Sequence, residues 1–252
     1  MIALTHIPSP YMQSCVRTFV SETPIDHALA AKQHADYCQT LRKCRTQVLT
    51  LDVNASRPDG AFIEDTAIVL DEVAVLCSLA PESRRDEPVG MEPILREHRE
   101  IERIELPATV EGGDCLRVGR TLLVGQSCRT NAAGIDVLSG IVGHYGYQVR
   151  SVPVRGCLHL KTACTALPDG RLLVNPAWID SAALADYELV AIPDEEPWAA
   201  NVAVVRSSVL LNSAHARTAD LIRSLGFDVR PIDLSEFAKA EAGVTCLSLF
   251  IS

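Results

Sequence analysis

The sequence predicts an α/β protein in which five repeated hairpin–helix–strand units close into a ring. Three observations predict it. Short apolar hairpins joined by turn residues recur along the chain. A polar residue stands near the head of each: Asp65, Glu111, His159, Asn201 and Cys246, at intervals of 46, 48, 42 and 45 residues. Helical stretches separate successive hairpins, two of them ending at or near a glycine, Gly143 or Gly226. A regular period in this range marks a repeat architecture. Such units bury their apolar faces against neighbours, and closing the ring removes exposed strand edges.

The elements follow in order. Residues 2–4 form a short strand candidate, and Pro8 and Pro10 follow it. Residues 11–23 are polar and irregular around Phe19-Val20, as in a surface loop or lid. From 24 to 41 the pattern is helical, with Pro24 in the first turn and Ala28, Ala31, Ala35 and Cys38 at three- and four-residue steps. Residues 48–53 read as a strand and Arg57-Pro58-Asp59-Gly60 as a turn. The first hairpin covers 62–70 and 73–76, the second 110–118 and 121–125, the third 158–167 and 171–174, and a weaker fourth 200–205 and 209–211. The fifth, 244–250, needs residues 2–4 as its returning strand, which fastens the ring. Helices are expected at 86–100, 130–144, 178–186 and 215–225, with following strands at 148–152 and 228–232. The whole of 1–252 is read as one catalytic domain, with a lid at about 11–23.

Composition narrows the function. A net charge of −9 makes nucleic acid or an anionic membrane a poor partner and is compatible with a small cationic substrate. No apolar stretch approaches membrane-spanning length, and no signal segment is expected. The nine cysteines are odd in number and lack C-x-x-C spacing, which argues for reduced thiols in the cytoplasm.

The ring would gather two carboxylates, a histidine, an asparagine and a cysteine about its axis. Cysteine with histidine points to covalent catalysis with proton transfer. Two facing carboxylates need a cation between them, and a planar guanidinium pairs with them through its fork. Its central carbon would then face the Cys246 thiol. A cation there would also favour the thiolate. The resulting chemistry is hydrolysis of a guanidine to a urea.

Several motifs, in order, resemble the dimethylarginine dimethylaminohydrolase family of the guanidine-modifying superfamily. They are Asp59-Gly60-Ala61-Phe62-Ile63-Glu64-Asp65, Glu82-Ser83-Arg84-Arg85, Glu111-Gly112-Gly113-Asp114, Arg129-Thr130-Asn131, His159-Leu160-Lys161-Thr162, Ala199-Ala200-Asn201 and Thr245-Cys246-Leu247-Ser248. The resemblance implies a five-bladed α/β propeller (pentein). It also implies hydrolysis of asymmetric dimethylarginine and monomethylarginine to citrulline and dimethylamine or methylamine. It makes Cys246 the nucleophile, His159 the general acid/base, and Asp65 and Glu111 the carboxylates that hold the guanidinium, with Glu64 in the same motif. Arg84 and Arg129 match positions for the substrate α-carboxylate, Asp59 one near its amino group, and the stretch around Val16 the lid. It implies no metal or organic cofactor. The expected partner is a small guanidino amino acid, and the expected assembly a monomer or homodimer. The sequence departs from the family pattern at Ser78-Leu79-Ala80-Pro81 and at Val202. A deiminase or hydrolase acting on arginine or another N-substituted arginine, and a non-catalytic propeller that only binds, remain as alternatives.

Overall fold

The computed structural model describes residues 1–252 and holds five three-stranded sheets in a five-fold arrangement. β1 (Ile2–His6) leads through an irregular segment and α1 (His27–Lys43) to β2 (Gln47–Leu51). The second unit is β3 (Ala67–Val69), β4 (Val73–Leu76), α2 (Glu87–Arg96) and β5 (Glu100–Arg103). The third is β6 (Cys115–Val118), β7 (Thr121–Gln126), α3 (Ala132–Gly143) and β8 (Gln148–Pro153). A one-turn α4 (Leu160–Ala163) precedes β9 (Cys164–Ala166), β10 (Leu172–Val174) and β11 (Leu189–Ala191). The last units run β12 (Ala203–Val205), β13 (Ser208–Asn212), α5 (Ala216–Ser224), β14 (Asp228–Ile232), the short α6 (Ser235–Ala238) and β15 (Leu249–Ile251).

One pairing rule repeats five times. The first two strands of a unit are antiparallel, and the third returns parallel to the middle one. The fifth sheet is completed by the N-terminal strand: Ile2 pairs with Ile251 and Leu4 with Leu249. The ring is therefore fastened as the sequence predicts. Apolar clusters fill the spaces between neighbouring units. Val73 and Val75 of β4 meet Leu122 and Val124 of β7 and Leu138 of α3, for example, while Tyr37 and Leu41 of α1 pack with Leu210 and Phe237. Full burial of one such leucine contributes about 1.5–3 kcal/mol.

Local chemistry sets the helix ends. Asp26 caps α1 by accepting from Leu29 N at 3.1 Å, and Arg42 and Lys43 sit in its last turn, favourably against the helix dipole. Asn131 caps α3 through Gly134 N at 2.8 Å.

Four expectations are corrected. The predicted helix at 178–186 is only a 3₁₀ turn, Ser181–Leu184. The helix at 86–100 ends at Arg96, and its tail becomes β5. The hairpin strands at 62–70, 110–118, 158–167 and 244–250 all begin later than predicted. Each is preceded by a helical turn: Ile63–Thr66, Gly112–Asp114, Leu160–Ala163 or Thr245–Leu247. Apolar residues in these turns continue the strand pattern, which hides the change of backbone. The five polar residues are also not strictly equivalent. Asp65 and Asn201 stand two residues before their strands, Cys246 three, Glu111 four and His159 five.

Candidate active site

Four axial turns carry the polar residues to the centre of the ring. A turn of this kind aims side chains away from the sheet, which a continuing strand would have buried between blades. Asp65 is buried in the turn Ile63–Thr66. Its Oδ2 accepts from Arg84 Nη1 at 2.9 Å and its Oδ1 from Gly113 N at 3.1 Å. His159 directly precedes α4. Its Nε2 lies 2.8 Å from Glu111 Oε2 and its Nδ1 3.9 Å from Asp65 Oδ1. The Glu-Gly-Gly-Asp motif is explained by this crowding. A Cβ on Gly112 would lie 1.9 Å from Glu64 O, and one on Gly113 only 2.5 Å from His159 Nδ1. Asp114 accepts from Leu160 N at 2.8 Å and Ser127 Oγ at 2.6 Å, which fixes the start of α4 behind the imidazole.

Electrostatics follow from this packing. Burial pushes the His159 pKa down, but Asp65, Asp114 and Glu111 outweigh it and raise the pKa to about 9. Asp65 is held below the usual carboxylate range: burial opposes this, and His159 and Arg84 overcome it. These two shifts describe one interaction. Burial, reinforced by Glu64 and Asp65, pushes the Cys246 thiol well up. Burial also raises Glu87 to about 7, although Arg84 lies against it at 2.9 Å.

A small cavity of about 20 Å³ is lined by Cys246, His159, Asp65, Arg84, Arg129, Asp59 and Val16. These are seven of the nine residues expected from the sequence. Val16 donates its N–H to Asp59 Oδ1 at 3.2 Å, which brings the irregular segment onto the site. Residues 11–23 contain only one 3₁₀ turn, Met12–Ser14.

The other two lie elsewhere. Glu111 is fully buried behind His159, where its carboxylate meets Nε2, Arg129 Nη1 at 3.4 Å and Ala80 N at 3.2 Å. It does not grip the cavity from the side opposite Asp65. Glu64 faces a different space. Its Oε1 lies 2.6 Å from Lys161 Nζ and its Oε2 accepts from Thr245 Oγ1 at 2.7 Å. Together these line a larger cavity of about 290 Å³, walled by the leading strands of the blades. Neighbouring residues in a 3₁₀ turn point about 120° apart, so Asp65 and Glu64 serve opposite sides of the axis. Asn201 braces this floor by donating to Lys161 O and Thr245 Oγ1.

The Arg129 side chain reaches Glu111 and Thr18, so its contacts are with the site; the α3 cap is Asn131 alone. Of the eight other cysteines, seven are buried and Cys128 is exposed. Sequence reading missed the half-buried Lys161 and the buried Glu87 and Glu241 as charges at or beside the site. Lys161 carried a signal, since it stands between Leu160 and Ala163 in the third hairpin. Asp65, Glu111 and His159 also place one metal-ligating atom each within 4.8 Å of one another. The raised pKa of His159 keeps a proton on the imidazole at neutral pH, and Glu111 already occupies its Nε2.

Fold and site together define the class: a five-fold α/β ring with a cysteine–histidine pair and a carboxylate at its axis, as in guanidine-modifying enzymes. The family model described as arginine deiminase matches residues 56–189. The chain is 36% identical over 249 residues to the N(G),N(G)-dimethylarginine dimethylaminohydrolase of Streptomyces coelicolor, covering 98% of this chain and 95% of that one. It is 34% identical to the enzyme of the same name from Pseudomonas aeruginosa, covering 89% of each. Among solved structures, a dimethylarginine dimethylaminohydrolase adduct with S-methyl-L-thiocitrulline superposes with a TM-score of 0.93 at 31% identity, over 98% of both chains. A Cys-to-Ser mutant of the Pseudomonas aeruginosa enzyme, complexed with citrulline, gives 0.91 at 30% identity, over 98% of this chain and 97% of that one. The chain belongs to the arginine deiminase and dimethylarginine dimethylaminohydrolase family.

Proposed function

We propose that this chain hydrolyses Nω-methylated arginines, asymmetric dimethylarginine and monomethylarginine, to citrulline and dimethylamine or methylamine. One observation carries the reading. A cysteine shares a small cavity with a histidine that nearby carboxylates keep charged, and with one of those carboxylates, Asp65. The family relationship supports it.

Asp65 holds the substrate guanidinium, taking it in place of Arg84 Nη1. Arg84 and Arg129 receive the α-carboxylate, and Asp59 with the backbone near Val16 receives the α-amino group. The guanidinium charge beside Cys246 offsets the two carboxylates that raise its pKa, and the thiol proton leaves to solvent. The thiolate attacks the guanidinium carbon and forms a C–S bond. His159, already protonated, donates its proton to the substituted nitrogen. The C–N bond breaks, and methylamine or dimethylamine leaves. The neutral imidazole then takes a proton from water as its oxygen adds to the thiouronium carbon. The C–S bond breaks and returns the thiolate. The new ureido group sheds one proton to solvent, and the released amine takes one up there as its ammonium ion. Glu111 holds the imidazole in line through its 2.8 Å bond, and Glu64 with Lys161 closes the floor.

The test is incubation with asymmetric dimethylarginine, with citrulline and released amine measured together. Mass spectrometry of quenched turnover should find a thiouronium adduct on the peptide containing Cys246. Absence of both products and adduct overturns the reading. A second reading, hydrolysis of arginine itself, is favoured by the description of the family model. Parallel assays with arginine separate the two.

No helix is long and apolar enough to cross a membrane. All nine cysteines are free, which supports a reducing, cytoplasmic setting.

A further inference from the structure

The segment over the site is anchored at several points, and Glu241 supplies two of its bonds. Glu241 is buried, and its carboxylate accepts from two successive amides of that segment, Thr18 N and Phe19 N. Its backbone has φ +59°, the left-handed conformation that glycine adopts freely and other side chains rarely. Keeping a long charged side chain in such a conformation calls for an explanation from its contacts. The hydrogen bonds of its side chain are both with the covering segment. Ala240, Glu241 and Ala242 line the cavity beside Cys246. Just upstream, Lys239 O accepts from Arg17 Nε at 2.9 Å. From the covering segment, Thr18 Oγ1 accepts from Arg129 Nη2 at 3.3 Å and Val16 N donates to Asp59. Residues 16–19 thus touch Glu241, Arg129 and Asp59 at once. A cavity of about 20 Å³ holds roughly one water, far less than an arginine derivative. The covering segment must lift before substrate enters.

We propose that Glu241 is the latch of this lid: its carboxylate holds residues 16–19 over the site through the amides of Thr18 and Phe19, and breaking those two bonds admits substrate. The proposal rests on the reading of the cavity as the substrate site. Glu241 acts as a positioning residue. Through Thr18 it also fixes Arg129, which meets Glu111 behind His159. The latch sits on the same loop as the nucleophile, five residues before Cys246, so lid and thiol are set by one backbone segment.

Glu241→Gly and Glu241→Asn test this in the full chain. Both residues accept the left-handed backbone, so the loop keeps its course, and neither side chain can replace the carboxylate at both amides. Trypsin cuts after Arg17 within the lid and after Arg42 near the end of α1. Without substrate, the rate of cutting at Arg17 relative to Arg42 should rise on the order of tenfold or more, as expected from losing two charge-assisted bonds. KM for asymmetric dimethylarginine should change by a larger factor than kcat. Glu241→Gln, which keeps an acceptor oxygen, should restore part of the proteolytic protection. An unchanged Arg17-to-Arg42 ratio in both variants overturns the proposal, including the case where general unfolding raises both cuts equally. If the wild-type chain does not hydrolyse methylarginines, the reading of substrate fails, yet the proteolytic ratio still decides the latch.

Discussion

Glu111 Oε2 lies 2.8 Å from His159 Nε2, and both side chains are buried. The pair joins the third unit of the ring to the turn that opens the fourth, and it holds the imidazole against Asp65 on its other edge. Glu111→Gln removes one of the charges that keep His159 protonated. The His159 titration midpoint, followed by NMR, should fall below about 9. A midpoint that does not move would separate Glu111 from the proton chemistry.

Cys246→Ser should abolish turnover, by at least about a thousandfold, because a hydroxyl at this position has no means of ionising near neutral pH. The circular dichroism spectrum should be unchanged, since serine differs from cysteine only in its Oγ for Sγ and fits the same space. Full activity in the variant defeats the covalent mechanism.

The His159–Asp65 interaction also sets a pH dependence of stability. The folded pKa of His159, about 9, lies above its ordinary value of 6.5. Its contribution is therefore complete below about pH 6.5 and is lost as pH rises through 9. Asp65, whose folded pKa is lowered, loses the same interaction at the acid end. Urea midpoints of wild type and His159→Asn should differ most near pH 6 and converge above pH 9. A difference that is constant over this range contradicts the assignment.

Gly113→Ala tests the close approach at the axis. The added Cβ would sit 2.5 Å from His159 Nδ1 and 2.8 Å from Asp65 Oδ1. A destabilisation of about 1–3 kcal/mol is expected, measured by chemical denaturation. The fall in kcat should exceed anything that this loss of stability explains, because the imidazole itself must move.

Lys161→Met strands the Glu64 carboxylate at the floor of the ring. The pair is only partly buried, so the loss should fall below the figure of about 3–5 kcal/mol for a fully buried pair. The double variant Glu64→Gln/Lys161→Met should recover much of that loss, and a thermodynamic cycle on thermal or urea unfolding measures the coupling. Additive effects would show that the two charges are solvated independently.

The sequence by itself determined the repeat, the closure of the ring by its first strand, and the identities of the groups at its axis. Hairpin alternation, turn residues and period are local properties, and they survive without coordinates. The antiparallel pairing of Ile2 with Ile251 follows from a last hairpin that lacks its returning strand and a spare strand at the start of the chain. What only the tertiary structure decided is which way each axial side chain points. The strand-like apolar pattern around Asp65, Glu111, His159 and Cys246 concealed four helical turns. A turn rotates neighbouring side chains to different sides, so Asp65 enters the small cavity and Glu64 the larger one. Glu111 falls behind His159 for a related reason: it stands before its turn, at the end of extended backbone. Glu87 and Glu241 left no pattern to read, because a buried charge is defined by partners distant in the chain or by the packing around them. Periodicity records how a segment meets its own sheet; the sharing of protons and charges across the axis depends on distances between segments, and those exist only in the folded ring.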